Sequence, residues 1–381
     1  MLESFSRLKA HIMTNRRSTE TFVFYLHYRV TFLILMGLCV LITTRQFVEA
    51  KIECLSNRES EVSHSLLETY CWSSSTYSVT SAYLKEVGIE SPHPGIRASE
   101  NESEYVYRNY YQYVHLVLFI QGLLFYLPHL IWKSIDRDHM DSFYIVISSC
   151  KEQSKHKPSS SSLEKEKPGD GDSDPFDAAA SYIEERWGTH TTYIFKYLFC
   201  ELMAVINIMI QFYLLDVFFQ GEFLSLGSLI SSHYKAERLK DPIRLFPLVT
   251  NCYFRRIGAS GRIDTVDAYC VLPINALNVK IFLFLWIWFP VILILSFGSL
   301  INFFFAFCIP KYRLLSLKLK SILFRSHVDT KSYMKLITTG NFGDWFILSC
   351  IKCNMDELNF SRLMENLNTK INTLEIIIKE P

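Results

Sequence analysis

Residues 281–309 read IFLFLWIWFPVILILSFGSLINFFFAFCI, a run of 29 residues without a charged side chain. About 20 apolar residues are enough to cross a bilayer core of about 30 Å, so this run predicts a membrane-spanning helix. Cys252 and Cys270 precede the run, and the chain leaves it through Lys311 and Arg313. Because basic residues favour the cytoplasmic end of a span and paired cysteines favour oxidising surroundings, the sequence places these cysteines outside the cell.

Three other apolar segments extend this pattern to a four-span protein. The predicted spans are 25–44, 112–132, 193–219 and 279–309. They separate an N-terminal arm (1–24), a first outer loop (45–111), an inner loop (133–192), a second outer loop (220–278) and a C-terminal tail (310–381). Near the span ends, Lys and Arg side chains are more numerous on the predicted inner side than on the outer side. This excess predicts that both termini are cytoplasmic.

The expected fold class is an all-α polytopic membrane protein with a disulfide-linked extracellular domain and a helical cytoplasmic domain. In the tail, apolar residues recur at helical spacing, and Gly343-Asp344 predicts a helix boundary before Trp345. Residues 151–174 of the inner loop contain no aromatic side chain and are rich in Ser, Lys and Glu. Such a segment cannot bury enough apolar surface to order itself, so it is predicted to be a disordered tether.

Two shorter signals lie outside the spans. Apolar residues at helical spacing in the N-terminal arm, from Leu2 to Ile12, predict a short amphipathic helix, for which docking on the membrane surface is the plainest interpretation. Asn101-Glu102-Ser103 is an N-glycosylation triplet in the first outer loop, which makes Asn101 a candidate glycan site.

Composition excludes several classes of function. The net charge is only +1, so no basic face is expected for nucleic acid. The sequence contains no HExxH, no phosphate-binding Walker loop and no Gly-rich nucleotide fingerprint. It therefore predicts neither an enzyme nor a bound cofactor or metal.

Polar residues in the third span have two interpretations. Glu201, Asn207, Gln211 and Asp216 fall on roughly one half of the helical wheel. Polar groups in a span face the bundle interior or water, so they serve either interhelical hydrogen bonds or ion passage. Hydrogen bonding is favoured because such bonds commonly hold helix bundles together.

Four of the ten cysteines lie in the outer loops, two per loop: Cys54, Cys71, Cys252 and Cys270. Four oxidised cysteines allow three connectivities, and each bridge would contribute about 3–4 kcal/mol. The alternative of a zinc site is disfavoured because 16 and 17 residues separate the cysteines of each loop, unlike the close pairs of zinc sites. Cys350 and Cys353 form a CxxC without a partner pair and are interpreted as ordinary helix cysteines.

Ordered motifs over nearly the whole chain resemble those of the innexins, the invertebrate gap-junction subunits related to pannexins. The matching motifs are Leu26-His27-Tyr28-Arg29, Thr44-Arg45-Gln46, Glu68-Thr69-Tyr70-Cys71-Trp72, His93-Pro94-Gly95, Tyr110-Tyr111-Gln112-Tyr113-Val114, Phe125-Tyr126-Leu127-Pro128, Phe199-Cys200-Glu201-Leu202, Gly221-Glu222-Phe223, Asp241-Pro242, Phe246-Pro247, Cys270-Val271-Leu272-Pro273-Ile274-Asn275 and Gly343-Asp344-Trp345-Phe346. Two departures stand out. Tyr113 replaces a tryptophan of the family signature, and Glu49-Ala50-Lys51 replaces Gly-Asp-Pro before the first outer cysteine.

The resemblance implies a ring of eight subunits around a large pore in the plasma membrane, docked to a ring of the same or related subunits on an apposed cell. It implies the bridges Cys54–Cys270 and Cys71–Cys252. It also implies that the N-terminal arm folds into the pore mouth. The pore-lining candidates are Met1, Leu2, Glu3, Ser4, Phe5, Glu49 and Lys51.

The hypothesis for function is therefore a pore-forming subunit of a gap-junction channel or hemichannel that passes ions and small molecules. One alternative is a four-span adhesion or scaffold protein whose tied loops bind a partner without conducting. Another is a hemichannel that never docks because a glycan at Asn101 blocks the outer surface. Dye transfer between paired cells distinguishes conducting from non-conducting hypotheses.

Overall fold

The computed structural model describes residues 19–48, 51–56, 62–97, 102–155, 175–226, 242–258, 260–323, 336–337, 340–355 and 357–379. It divides into two compact units. The terminal unit consists of Met1–Tyr25, Pro128–Ala204 and Leu295–Pro381, and the loop unit consists of Leu26–Leu127 and Val205–Ile294. The division falls inside each of four long helices, so each of these helices contributes to both units.

Helices dominate the described residues. In chain order they are α1 (Phe22–Val48), α2 (His64–Ser73), α3 (Val114–Lys155), α4 (Pro175–Glu185), α5 (Thr191–Phe218), α6 (Pro242–Leu245), α7 (Pro273–Cys308), α8 (Pro310–Leu323), α9 (Phe342–Asn354) and α10 (Glu357–Lys379). Four segments are long and apolar enough to span a membrane: Phe22–Val48, Val114–Asp136, Thr191–Phe218 and Pro273–Cys308. The four-span architecture predicted from hydropathy is thereby confirmed.

The loop unit also contains a five-stranded antiparallel sheet that was not predicted. Its strands are β1 (Glu53–Ser56), β2 (Thr76–Val79), β3 (Tyr105–Arg108), β4 (Val249–Ile257) and β5 (Ile263–Val271), in the spatial order β1-β5-β4-β2-β3. Strands β1 to β3 are only four residues long, too short for a reliable alternation pattern. Their pairing with β4 and β5 joins the two predicted outer loops into one sheet.

Aromatic side chains fill the core of the loop unit. Phe246 stacks on Phe282 with ring centroids 5.6 Å apart, and Phe219 meets Phe282 edge to face at 4.7 Å. All three are fully buried, and the same core includes the four outer cysteines. Burial of each such ring stabilises the fold by about 1.5–3 kcal/mol, so the sheet and the ends of α5 and α7 form one packed body.

The terminal unit is helical, and α10 packs on α4. Lys370 Nζ lies 2.9 Å from Asp177 Oδ1 across this contact. Helix α3 continues to Lys155, so the first five residues of the segment predicted to be disordered, 151–174, are helical instead. Residues 156–174 of that segment lie outside the described residues.

The start of α9 is fixed by Asp344. Its carboxylate accepts the backbone N–H of Asn341 at 3.0 Å and that of Gly188 at 3.1 Å. The helix therefore begins at Phe342, close to the predicted boundary. No residue other than glycine fits at position 343, because a Cβ there would lie 2.2 Å from the carbonyl carbon of His190.

Candidate functional site

Two disulfides tie the predicted outer loops together. Cys54 bonds to Cys270 and Cys71 bonds to Cys252, with sequence separations of 216 and 181. All four cysteines are essentially inaccessible to solvent. Two of the three possible connectivities join the first outer loop to the second, and the structure adopts the one that pairs Cys54 with Cys270 and Cys71 with Cys252.

The sheet register explains why Cys54 finds Cys270. Strands β1 and β5 place these two residues directly opposite each other, with their Cα atoms 4.1 Å apart. Cys71 lies on α2 and reaches β4 instead. The sulfur atoms of Cys54, Cys71 and Cys270 lie within 4.8 Å of one another. They are oxidised in two neighbouring bridges, so they are not thiolate ligands for a metal ion.

The β4–β5 hairpin ends in an exposed apolar pair. Ile257 and Ile263 lie opposite each other in the register and are 80% and 76% exposed. Next to them, Arg256 Nη2 lies 2.8 Å from Asp264 Oδ2 across the same two strands. A hairpin whose base is anchored by disulfides and whose last strand pair is apolar and exposed is suited to contact another protein surface.

Most of the pore-lining candidates fall outside the described residues: Met1, Leu2, Glu3, Ser4, Phe5 and Glu49. Asn101, the candidate glycan site, lies outside them as well. Lys51 is described. It is exposed between the end of α1 and β1, with its ammonium group 6.0 Å from the ring centre of Phe47.

Glu201 of the third span is hydrogen-bonded to the segment before α1 and to α7. Its carboxylate accepts the Thr21 hydroxyl at 2.7 Å, next to the start of α1, and the Ser299 hydroxyl of α7 at 3.2 Å. The Tyr197 hydroxyl donates to it at 3.0 Å. Because Glu201 is buried and bonded to neighbouring elements, its surroundings match the hydrogen-bonding interpretation of this polar face.

The other polar residues of that span are hydrogen-bonded to residues close to them in the sequence. Gln211 donates to Asn207 at 3.2 Å within α5. Asp216 accepts the backbone N–H of Leu224 at 3.1 Å and so fixes the turn after the helix. The wheel pattern alone could not separate Glu201, which links three elements, from these local contacts.

Sequence reasoning missed the segment Thr19–Thr21, which precedes α1. Thr19 donates to Asp136 at 3.3 Å, and Glu20 Oε1 lies 3.0 Å from His129 Nδ1. With Thr21 bonded to Glu201, three consecutive side chains contact α3 or α5. In the sequence, the only signal is three polar residues near the end of the arm, and such residues are found at any span boundary.

A buried ion pair in the loop unit was also missed. Arg108, at the end of β3, is 5% exposed, and its Nη2 lies 2.9 Å from Glu222 Oε2. Arg244 of α6 approaches the same carboxylate at 3.6 Å. Charged residues scattered through two loops give no hint of this pairing until the sheet brings them together.

The geometry so far describes four membrane-spanning helices that carry a sheet cross-linked between two loops. The family model for innexins matches residues 20–371. This chain belongs to the innexin family. It is 31% identical over 377 residues to innexin shaking-B of Drosophila melanogaster, covering 97% of this chain and 95% of that protein. It is 30% identical over 384 residues to innexin inx2 of Schistocerca americana, covering 99% and 100%.

Membership confirms the resemblance seen in the sequence motifs. This innexin is a multi-pass plasma-membrane protein and a subunit of a gap-junction channel, and it acts by assembling with other subunits rather than as an enzyme. The adhesion or scaffold alternative is therefore not supported.

Proposed function

We propose that eight copies of this innexin form a ring around an aqueous pore, and that this ring docks with a ring of the same or related subunits on an apposed cell. A single bundle of four helices is filled by its own side chains and leaves no room for a wide water path. Closure of a ring between subunits supplies that path. The number eight follows from the resemblance to innexins.

The proposed orientation places loops 45–111 and 220–278 outside the cell and both termini in the cytoplasm. Disulfides persist in oxidising surroundings, which supports an extracellular position for the sheet. The excess of Lys and Arg on the other side of the spans supports the same orientation.

The observation that carries the docking proposal is the disulfide-tied sheet with its exposed apolar tip. Ile257 and Ile263 project from a hairpin whose base is held by both bridges. An interface forms at lower entropic cost on a surface that is already rigid. The hairpin tip is therefore the proposed contact between rings, whereas residues Met1–Phe5, Glu49 and Lys51 are proposed to line the pore.

The test is a double variant in which Ile257 and Ile263 are both replaced by Asp. Each chain then places two charges in the proposed interface, so junctional conductance between paired cells should fall at least 10-fold. Hemichannel current and surface labelling should stay at the wild-type level, because the tip is exposed in the single subunit. The matched control is Leu66→Asp, which also replaces an exposed apolar side chain with a charged one but lies on α2.

Normal coupling by the tip variant, or equal loss in the Leu66 variant, would remove the hairpin from the docking surface. Particle images of the purified channel count the subunits directly, and a number other than eight corrects the ring. Asn101→Gln addresses the glycan: a rise in coupling would show that a sugar blocks docking.

A further inference from the structure

A π-helical turn interrupts α1. Residues Leu26–Val30 are π-helical, whereas Phe22–Tyr25 before them and Thr31–Val48 after them are α-helical. In a π turn each N–H bonds to the carbonyl oxygen five residues earlier, so the turn holds one residue more than an α turn. Such turns are rare, and inside α-helices they are frequently found at functional sites. The turn in α1 therefore needs a physical cause.

The residues of this turn do not explain its shape. They read LHYRV and include neither proline nor glycine, which are common causes of helix distortion. Two other spans do contain a proline, Pro128 in α3 and Pro290 in α7, yet both remain α-helical along their length. The π turn must therefore be stabilised by contacts with side chains outside it.

Thr31 and Trp288 supply those contacts. The buried Thr31 hydroxyl donates to the carbonyl oxygen of Leu26, five residues earlier, at 3.1 Å. The indole N–H of Trp288, on α7, donates to the same hydroxyl at 3.2 Å. In an ordinary α turn of the same helix, the Thr43 hydroxyl donates to the carbonyl oxygen of Cys39, only four residues earlier, at 2.8 Å. The bond from Thr31 thus spans the extra residue of the π turn, and Trp288 holds the hydroxyl in place.

The pattern of buried residues in α1 is equally compatible with an uninterrupted α-helix. Phe24, His27, Tyr28, Thr31 and Leu35 are all buried, and their spacings of 3, 1, 3 and 4 are those of one face of an α-helix. Conversion of the π turn to an α turn would move the residues before it by one position, which is a rotation of about 100° and a shift of about 1.5 Å along the axis. The sequence therefore allows two registers of this helix.

The residues that such a shift would move are held by specific contacts within the terminal unit. Thr21 is hydrogen-bonded to Glu201, and Phe24 packs edge to face on Tyr197 with ring centroids 5.8 Å apart. A rotation by one residue would turn both side chains away from these partners. Packed contacts of this kind favour discrete states over gradual change, so the two registers exclude each other.

We propose that the π turn is a switch between two registers of α1, and that Thr31 and Trp288 are the positioning residues that favour the π register. A change to the α register would rotate the residues before the turn and break their contacts in the terminal unit. The consequence for conduction rests on the proposed function, because residues Met1–Phe5 of the N-terminal arm are proposed to line the pore. Each register then corresponds to a different position of the arm and to a different conductance state.

Single-channel recordings from paired cells test the switch through the ratio of open to closed time. Trp288→Phe removes one hydrogen bond from the π register, so the ratio should change about 5-fold, which corresponds to about 1 kcal/mol. Thr31→Val keeps the shape of the side chain but removes both bonds, so its change should have the same direction and be at least as large. The double variant should match Thr31→Val, because the indole N–H has already lost its acceptor.

Two controls separate the switch from a general loss of packing. Thr31→Ser keeps the hydroxyl and should retain the wild-type ratio. Thr43→Val makes the same replacement in an ordinary α turn and should also behave as wild type. An equal change in Thr43→Val, or a change in Thr31→Ser as large as in Thr31→Val, would overturn the proposal. Surface labelling checks folding, and if Thr31→Val does not reach the surface, Trp288→Phe decides, since it leaves Thr31 unchanged.

Reconstructions from particle images of the purified full-length channel show the register without reference to the pore. Thr31→Val and Trp288→Phe should yield particles in which Leu26–Val30 form α turns, in a larger fraction than wild type. A π turn retained in every particle of both variants would make it a fixed structural feature and overturn the switch. A changed register with an unchanged ratio of open to closed time would support the switch and instead remove the N-terminal arm from the pore.

Discussion

The loop unit and the terminal unit are cross-linked in different ways. In the loop unit, the long-range ties are covalent: Cys54–Cys270 and Cys71–Cys252 join segments about 200 residues apart in the chain. In the terminal unit, the corresponding ties are hydrogen bonds to buried Glu201 and Asp344.

The two kinds of tie respond differently to pH. A disulfide is insensitive to moderate changes of pH, whereas a buried carboxylate depends on its protonation state and on every donor around it. The loop unit is thus held in one shape by covalent bonds. The terminal unit is held by hydrogen bonds, which different substitutions of one carboxylate can weaken to different degrees.

The strongest test of this comparison is Cys71→Ser. Loss of the bridge to Cys252 removes about 3–4 kcal/mol of stabilisation and leaves a thiol in the aromatic core. Junctional conductance between paired cells should be abolished. Cys350→Ser is the control: Cys350 is also buried but is not part of a bridge, so coupling should persist. Equal loss in both variants would mean that covalent ties are no more important than packing.

Replacement of Glu201 tests the hydrogen-bonded side of the comparison. In Glu201→Ala, the buried hydroxyl of Tyr197 and the half-buried hydroxyls of Thr21 and Ser299 lose their carboxylate acceptor. Each unpaired buried donor costs about 1–3 kcal/mol, so the unfolding midpoint of the purified channel should drop by several degrees.

Glu201→Gln should show a smaller drop, because one acceptor oxygen remains. Glu185→Ala, at an exposed position of the same unit, should leave the midpoint unchanged. If Glu201→Ala unfolds no earlier than Glu185→Ala, the terminal unit is held by packing rather than by this carboxylate.

The sequence predicted those features that depend on composition over long windows. Four apolar runs of about 20 or more residues predict four spans, and the structure has them. The sheet could not be predicted, because β1 pairs with β5 across more than 200 residues and each short strand lacks a pattern of its own. The alternation along β4 is recognisable only once its length of nine residues is known.

The same limit applies to the candidate sites. Cysteine count and side of the membrane predicted that the four outer cysteines are oxidised, but the pairing came only from the resemblance and from the structure. Arg108 and Glu222 lie in different outer loops and form a buried ion pair only in the folded structure. Which charged groups meet depends on tertiary contacts that no local pattern contains.

A glycine substitution sharpens the comparison within the terminal unit, because it tests close packing without removing a polar bond. In Gly343→Ala, the new Cβ would lie 2.2 Å from the carbonyl carbon of His190 and 2.5 Å from the backbone nitrogen of Thr191. Backbone atoms cannot yield as a flexible side chain does, so a loss of about 1–3 kcal/mol is expected. The matched change Gly298→Ala in α7 meets nothing within 4 Å and should cost no stability. Thermal midpoints of both variants check the pair, and similar midpoints would contradict the close approach.

The smallest expected effect is the pH dependence that Asp344 gives to the terminal unit. Burial raises the pKa of Asp344 above its ordinary value of 3.8, and the N–H groups of Gly188 and Asn341, with the charge of Arg313, offset only part of that rise. A folded state that holds its proton more tightly than the unfolded state loses stability as that proton leaves. The free energy of unfolding contributed by this group should therefore be greatest below pH 3.8 and should fall as the pH rises through the folded-state pKa. Unfolding midpoints of wild type and Asp344→Asn, measured from pH 3.5 to pH 7, should diverge in that direction, since the amide does not titrate. A difference that stays constant with pH, or that favours wild type as the pH rises, would show that the three partners outweigh burial and that this tie behaves like the covalent ones.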